Sequence, residues 1–306
     1  MTDITAPSTS TAILIEDNGG SRTWSRLIRN LKRDRVATFG LIILLVTLLC
    51  SLFPSQLAPH DPVKQNLRAR FVPPSWMDGG TWDNPLGTDQ LGRDLLSRLI
   101  YGARISLVIG SLAVLLSCVI GITLGLVSGF TGGILDTIIM GFTEIQLSIP
   151  YILLAISIIA ILGPNYKNLI IVLAISGWTI FSKLVRAQVL SVREEVYVLS
   201  ARAIGSKTPR IIFLHVLPQT ISPIIVVATL EMARIILLEA SLSFLGLGVQ
   251  PPEISWGTIL SDGREYLATA WWVSTFSGFA IMLLVLAVNS IGNLLNNVLD
   301  PTRRQL

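Results

Sequence analysis

Apolar residues run almost without interruption through residues 36–53, 105–130, 135–162 and 169–190, from Pro218 to near Glu239, and through 271–295. Residues 106–131 and 274–288 hold no charged side chain at all. A stretch of about 18 or more apolar residues matches the thickness of a bilayer's hydrocarbon core, and a backbone in lipid must satisfy its own hydrogen bonds. Each run therefore predicts a membrane-spanning helix. Pro54 ends the first, Gly163-Pro164 the third, and Pro218 opens the fifth. The expected fold is all-α and polytopic, with six transmembrane helices that bring both termini to one side.

This pattern divides the chain into a polar tail at 1–35, a first transmembrane helix at 36–53, and an external segment at 54–104. That segment is expected to carry a short surface helix capped by Thr88 or Asp89. A five-helix core follows at 105–298, interrupted by a polar segment at 193–217, and 299–306 forms a second tail. On helix two, Ala113, Ser117, Gly121, Gly125 and Gly129 recur every four residues, a ladder that lets another helix approach closely.

Composition agrees: 51% of residues are hydrophobic and only 14% charged, against about a quarter charged in soluble domains. Too few solvating side chains remain to cover six apolar helices, which excludes a soluble globular protein. Lys and Arg then orient the bundle. Arg22, Arg26, Arg29, Lys32, Arg33 and Arg35 abut the first helix, Arg193, Arg202, Lys207 and Arg210 lie between helices four and five, and Arg303 and Arg304 close the chain. The 54–98 segment offsets its own basic residues with Asp61, Asp78, Asp83, Asp89 and Asp94. Both termini are expected in the cytoplasm of a bacterial cell, with the bundle in the inner membrane. Cys50 and Cys118 lie inside apolar runs and read as packing residues, while His60 and His215 stand far apart. No metal cluster, catalytic constellation or nucleic-acid partner is expected.

Within 193–217, residues 193–204 predict a short helix with Glu194 and Glu195 in its first turn. Gly205 suits the left-handed residue that closes it, and Thr208 with Pro209 restarts a helix that runs to Pro218. Ser200, Ala201 and Ala203 beside Arg202 make a small-residue surface that a partner groove can close on, or simple punctuation at the membrane surface. Ionisable residues inside the spans face the bundle interior or a water-filled path. Glu144, Glu231, Arg234 and Glu239 are candidates for a pathway lining or an internal ion pair, Glu231 and Arg234 standing three residues apart on one face; Lys183 and Arg186 lie near an end of helix four. Asn289, Asn293, Asn296 and Asn297 are expected to hydrogen-bond across helices or to contact a partner subunit at that end, and Trp256, Trp271 and Trp272 to mark the outer interface.

Leu199-Ser200-Ala201-Arg202-Ala203-Ile204-Gly205, followed after nine residues by His215-Val216-Leu217-Pro218, resembles the cytoplasmic "EAA" loop of permease subunits of bacterial ABC importers. Leu199 and Ser200 stand where that pattern often has Glu and Ala, and His215 where it has an apolar residue. Leu86-Gly87-Thr88-Asp89 through Gly92-Arg93-Asp94 to Ser97-Arg98, then Gly102-Ala103-Arg104-Ile105-Ser106-Leu107, is similar to a motif of dipeptide/oligopeptide importers. So are Glu239 to Gly248, Pro251-Pro252, Ser255-Trp256-Gly257 and the stretch from Asn289 to Asp300-Pro301. The resemblance covers residues 25–302 and points to the C-type permease of dipeptide/oligopeptide ABC importers, with a type I importer permease fold.

That resemblance implies a heterodimer with a second permease subunit, two cytoplasmic ATPase subunits, an external peptide-binding protein and a peptide substrate. Ser200, Ala201, Arg202, Ala203, Gly205 and Pro218 would then belong to the ATPase-coupling segment, with the helix at 196–205 seated in an ATPase cleft. No G-x-x-x-x-G-K-[ST] loop occurs in this chain, and Gly205-Ser206-Lys207-Thr208 lacks the phosphate-cradling turn. ATP and Mg would reside in the partner ATPase subunits, and this chain would be a transport subunit without a cofactor of its own. Permeases for nickel, glutathione or antimicrobial peptides share the same type. An ion-coupled secondary transporter is the reading from another class.

Overall fold

The computed structural model describes Leu31 and residues 34–299. The basic residues at 22–33, together with Arg303 and Arg304, and nearly all of both expected tails lie outside the described residues. Helix α1, Arg35–Leu52, starts where the Asp34 carboxylate accepts the N–H groups of Val36 and Ala37 at 2.9 and 3.1 Å. It ends before Pro54, which opens the short helix α2, Pro54–Leu57.

Helix α3 runs without a break from Leu95 to Thr131. The separate surface helix expected before residue 105 is the first part of this longer rod. Its cap is Asp94, whose carboxylate accepts the Ser97 N–H at 2.8 Å, and neither Thr88 nor Asp89 fills that role. Both are fully buried. Thr88 ties the preceding loop together by donating to the Ala69 carbonyl at 2.6 Å and accepting the Val72 N–H at 2.9 Å.

The third apolar run is two helices, α4 (Gly133–Ser148) and α5 (Tyr151–Leu162), bent by 93°. The expected single helix at 135–162 fails at Pro150. Proline has no N–H and pushes the residue before it out of the helical region, and Ile149 sits at φ −92°, ψ 125°. Helix α6, Tyr166–Val192, then begins at Asn165, whose side chain accepts the Lys167 N–H at 2.7 Å.

The small-residue ladder fixes how α3 and α6 lie. A Cβ on Gly121 would stand 2.4 Å from the Phe181 Cβ, one on Gly125 2.8 Å from the Val185 Cβ, and one on Gly129 2.8 Å from the Val189 Cβ. The Ser117 hydroxyl donates to the Ala174 carbonyl at 2.9 Å. Positions rise together on both helices, so α3 and α6 are parallel. The bent pair between them must return across the same thickness and counts as one span. With α1, α3, α6 and the two long helices below, the chain makes six crossings.

After α6 come α7 (Val196–Ala203) and α8 (Thr208–Ile211), a π turn at Ile212–Val216, and α9 (Leu217–Phe244). Pro218 stands in the first turn of α9, at the expected start of the fifth helix, and the π turn joins α9 to α8 in one apolar rod of 37 residues, Thr208–Phe244. The widened turn lies just before Pro218, where the missing N–H and the ring clash forbid ordinary helical pairing. Helices α10 (Trp256–Gly263) and α11 (Trp271–Leu299) complete the fold. Gly110 meets Ile236, Gly292 meets Thr229 and Gly40 meets Ala287. Successive spans cross in alternate directions and α6 runs parallel to α3, so α9 is antiparallel to α3 and α11, and α11 is antiparallel to α1. One end of the bundle thus carries the start of α1, the end of α11 and the whole 193–217 segment. The opposite end carries the loops at 58–94 and 245–270.

At that loop end two tryptophans act as buried pins. Trp256 Nε1 donates to the Leu99 carbonyl at 2.8 Å and Trp272 Nε1 to the Thr88 carbonyl at 3.0 Å. The expectation that these two rings mark the lipid interface is therefore corrected; of the three expected tryptophans, Trp271 is the one exposed. Their neighbour is a charge lattice: Arg93 Nε lies 2.6 Å from Asp89, Arg98 reaches the same carboxylate at 2.5 Å, and both guanidinium groups reach Asp262 at 3.2 and 2.9 Å. Asp89 and Arg98 are almost wholly buried, and the two guanidinium groups, each bridging Asp89 and Asp262, lock the 58–94 loop to α10. The four asparagines of α11 do not form the expected interhelical bonds among the described residues, and Asn293, Asn296 and Asn297 are exposed.

Candidate functional site

The 193–217 segment is built from α6 outward. That helix runs on to Val192, and the Arg193 guanidinium donates to the Gly129 carbonyl at 3.0 Å. The chain then turns and extends at Glu195 (φ −67°, ψ 142°) before α7 begins. Glu194 and Glu195 therefore precede the helix and do not occupy its first turn, because α6 consumes the residues that an earlier start would need. The Glu195 side chain makes no capping bond. Partial burial and this neighbouring carboxylate raise the Tyr197 phenol above its ordinary value.

Helix α7 has two faces. Val198 (0% exposed) and Ala201 (8%) point into the chain's own core. Ala201 is corrected accordingly: it seats α7 on the bundle and is not offered to a partner. Val196 (76%) and Ile204 (83%) project outward with Leu199, Ser200 and Ala203. Beyond the turn, Phe213 and Leu214 are exposed as well. Arg202 lies on the outer side with its guanidinium carbon 5.4 Å from the centre of the Phe130 ring, which ties α7 to the end of α3. Gly205 adopts φ +82° with open space around it, and the Ser206 N–H bonds the Ala201 carbonyl at 3.1 Å. This is a glycine-closed helix end. Pro218 is exposed in the first turn of α9. Sequence reasoning placed these residues in one segment; the structure separates those that face outward from those that do not.

The intramembrane ionisable residues do not gather at one place. Glu231 is buried and pairs with Arg234, whose Nε lies 2.9 Å from Oε2. Glu239 is almost completely buried and accepts the Ser243 hydroxyl at 2.8 Å. Glu144 is exposed on α4 with no ion-pair partner among the described residues. A pair that sequence reasoning missed lies at the end shared with α7. Arg186 Nε and Nη2 reach Asp136 Oδ1 and Oδ2 at 2.6 and 2.7 Å, and the Ser128 hydroxyl donates to the same carboxylate. A lone aspartate beside an apolar run was the available signal. Among the described residues, no group of three or more His, Cys, Asp or Glu side chains is arranged to hold a metal ion.

Residues 121–305, more than half of the chain, match the family described as "Binding-protein-dependent transport system inner membrane component". The chain belongs to that family. Residues 22–74 also match the "N-terminal TM domain of oligopeptide transport permease C". Among its relatives, this transport component is 45% identical to the Di/tripeptide transport system permease protein DppC of Pseudomonas aeruginosa (strain UCBPP-PA14), over 88% of each chain. It is 42% identical to the Dipeptide transport system permease protein DppC of Escherichia coli (strain K12), over 90% of this chain and 91% of the relative. In fold it resembles a solved structure titled "Inward facing conformations of the MetNI methionine ABC transporter: CY5 native crystal form", with a TM-score of 0.53 at 19% identity, covering 67% of this chain and 97% of that one. The inner-membrane component is thus a multi-pass permease with its polar helical segment, 193–217, at the same end as the start of α1 and the end of α11.

Proposed function

We propose that this chain is one permease subunit of an ATP-driven importer that moves dipeptides or oligopeptides delivered by an external binding protein. A second permease completes a heterodimer, and two cytoplasmic ATPase subunits, which hold ATP and Mg, supply the energy. Both termini and α7 lie on the cytoplasmic side, in keeping with Arg193, Arg202, Lys207 and Arg210 at that end. Identities of 40–45% to permeases named for dipeptide or di/tripeptide transport support the substrate class.

The observation that carries the coupling assignment is the outward face of α7. Val196, Leu199 and Ile204 are exposed on a helix whose opposite face, Val198 and Ala201, is held by the bundle. An exposed apolar edge on a firmly seated short helix fits a groove in a water-soluble partner. In the cycle, ATP-driven closure of the ATPase pair would move α7, and the helix bundle would open the path outward; hydrolysis would reset it.

The test is a reconstituted complex in proteoliposomes with binding protein, ATP and labelled dipeptide, run beside nickel ion and glutathione. Ile204→Asp with Leu199→Asp is expected to release the ATPase subunits and stop uptake. Uptake that continues in the complete absence of ATPase subunits would sink the assignment. Uptake of nickel or glutathione with no uptake of peptide would reassign the substrate.

A further inference from the structure

Helix α4 is a rigid piece between two joints. On one side Gly132 and Gly133 both have positive φ, +65° and +60°, with no atom within 4 Å of a Cβ built on either. Neither joint residue therefore packs against anything that would fix the direction of α4. On the other side Ile149 and Pro150 break the helix by 93°. Only Thr143 of α4 is buried, so packing alone holds it weakly to the chain.

Two polar clips hold α4 to α6 instead. Near its start, Asp136 makes the bidentate pair with Arg186. Near its end, Gln146 accepts the Trp178 indole N–H at 2.8 Å and donates to the Ile175 carbonyl. The Arg186 clip lies next to the proposed coupling segment. Five residues of helix separate Arg186 from Val192, Arg193 grips the Gly129 carbonyl, and Arg202 of α7 lies on Phe130. Ser128, Gly129 and Phe130, three successive residues at the end of α3, thus touch α4, the α6–α7 link and α7 in turn.

We propose that α4 is a lever whose drive point is the Asp136–Arg186 pair, which passes displacement of the 193–217 segment to the bent pair α4–α5. An ion pair suits this work because its two parallel bonds are directional and hold both side chains in one geometry. Asp136 and Arg186 act as positioning residues. The inference rests on the proposed coupling role of α7.

The experiment uses the complete transporter with its binding protein in proteoliposomes and reads ATP hydrolysed and labelled dipeptide taken up in the same vesicles. Asp136→Asn and Arg186→Gln are each expected to assemble and to hydrolyse ATP within about twofold of the unmodified complex, while peptide moved per ATP falls about tenfold or more. The swap D136R with R186D is expected to recover at least about half of the lost ratio, as for a pairwise interaction. Single variants that keep the full ratio would overturn the proposal. So would assembly, hydrolysis and uptake falling together in the singles and the swap alike, which marks a packing role only. An unmodified complex that moves no peptide would overturn the proposed substrate, not the lever.

Discussion

Replacing Gly121 by alanine puts one methyl group where α3 and α6 already touch. The new Cβ would stand 2.4 Å from the Phe181 Cβ and 2.5 Å from the Trp178 carbonyl oxygen. Carbon contacts relax only at about 3.5–4.0 Å, so the helices must part locally by about 1 Å. The Trp178 oxygen belongs to the backbone and has no rotamer to move to. Parting also loosens Gly125 and Gly129 against Val185 and Val189 in the same ladder. Overpacking of this kind costs about 1–3 kcal/mol, and a backbone clash places it at the upper end. Alanine returns about 1 kcal/mol over glycine through helix propensity, which leaves roughly 2 kcal/mol of net destabilisation. Gly141 on α4 is the matched control, since nothing lies within 4 Å of its Cβ. Gly141→Ala in the isolated chain should gain about the propensity term alone, 1 kcal/mol. The assay is reversible unfolding of the purified chain in micelles, comparing the two variants side by side. A difference below about 0.5 kcal/mol between them would refute the parallel, close-packed α3–α6 interface, because independent surface changes stay within that range.

Three further outcomes follow from single contacts. Asp89→Asn removes a buried carboxylate from between Arg93 and Arg98 and should cost about 3–5 kcal/mol; an unchanged unfolding midpoint would contradict the loop-end lattice. Trp272→Phe strands the buried Thr88 carbonyl that its indole now satisfies at 3.0 Å and should cost about 1–3 kcal/mol in the same unfolding assay. Gly205→Val meets no steric obstacle but must hold φ +82°, a strain of about 1–2 kcal/mol. It should speed hydrogen exchange at the Ser206 amide roughly tenfold while the bundle amides stay protected; no change there would show that the α7 end does not depend on the left-handed residue.

What the sequence disclosed and what it hid divide along physical lines. Long apolar runs, the four-residue ladder and the glycine after α7 act locally, so spans, close packing and the turn were readable from Ala113 to Gly129 and at Gly205. Direction within a helix pair was not, because a ladder looks the same for parallel and antiparallel partners; only the pairing of Gly121 with Phe181 and Gly129 with Val189 decides it. Pro150 was visible but sits inside a run apolar enough to read as one helix, and the bend at Ile149 and Pro150 appears only in the backbone. Ala201 and Trp272 were placed in the right segments and on the wrong faces, since a residue's inward or outward aim depends on neighbours distant in sequence. Asp136 and Arg186 are 50 residues apart, beyond the reach of any spacing rule for helical pairs.

Glu144 carries the same reasoning to a surface that this chain leaves uncovered. Helical spacing places Thr137, Gly141, Glu144 and Ser148 along one strip of α4, and Thr137, Glu144 and Ser148 are exposed. Phe142 and Ile145, on other sides of the same helix, are exposed and apolar. Lipid suits the second group and not the first: a carboxylate at the centre of a span costs about 2.5–3.5 kcal/mol on insertion scales. A helix with one apolar side and one polar strip, on which Thr143 is the one buried residue, has its orientation in the membrane decided by that contrast. The strip turns toward protein or water. In the proposed heterodimer it would be the side of α4 that meets the second permease or the path between them, and in the proposed lever the Asp136–Arg186 clip would fix how far it can swing.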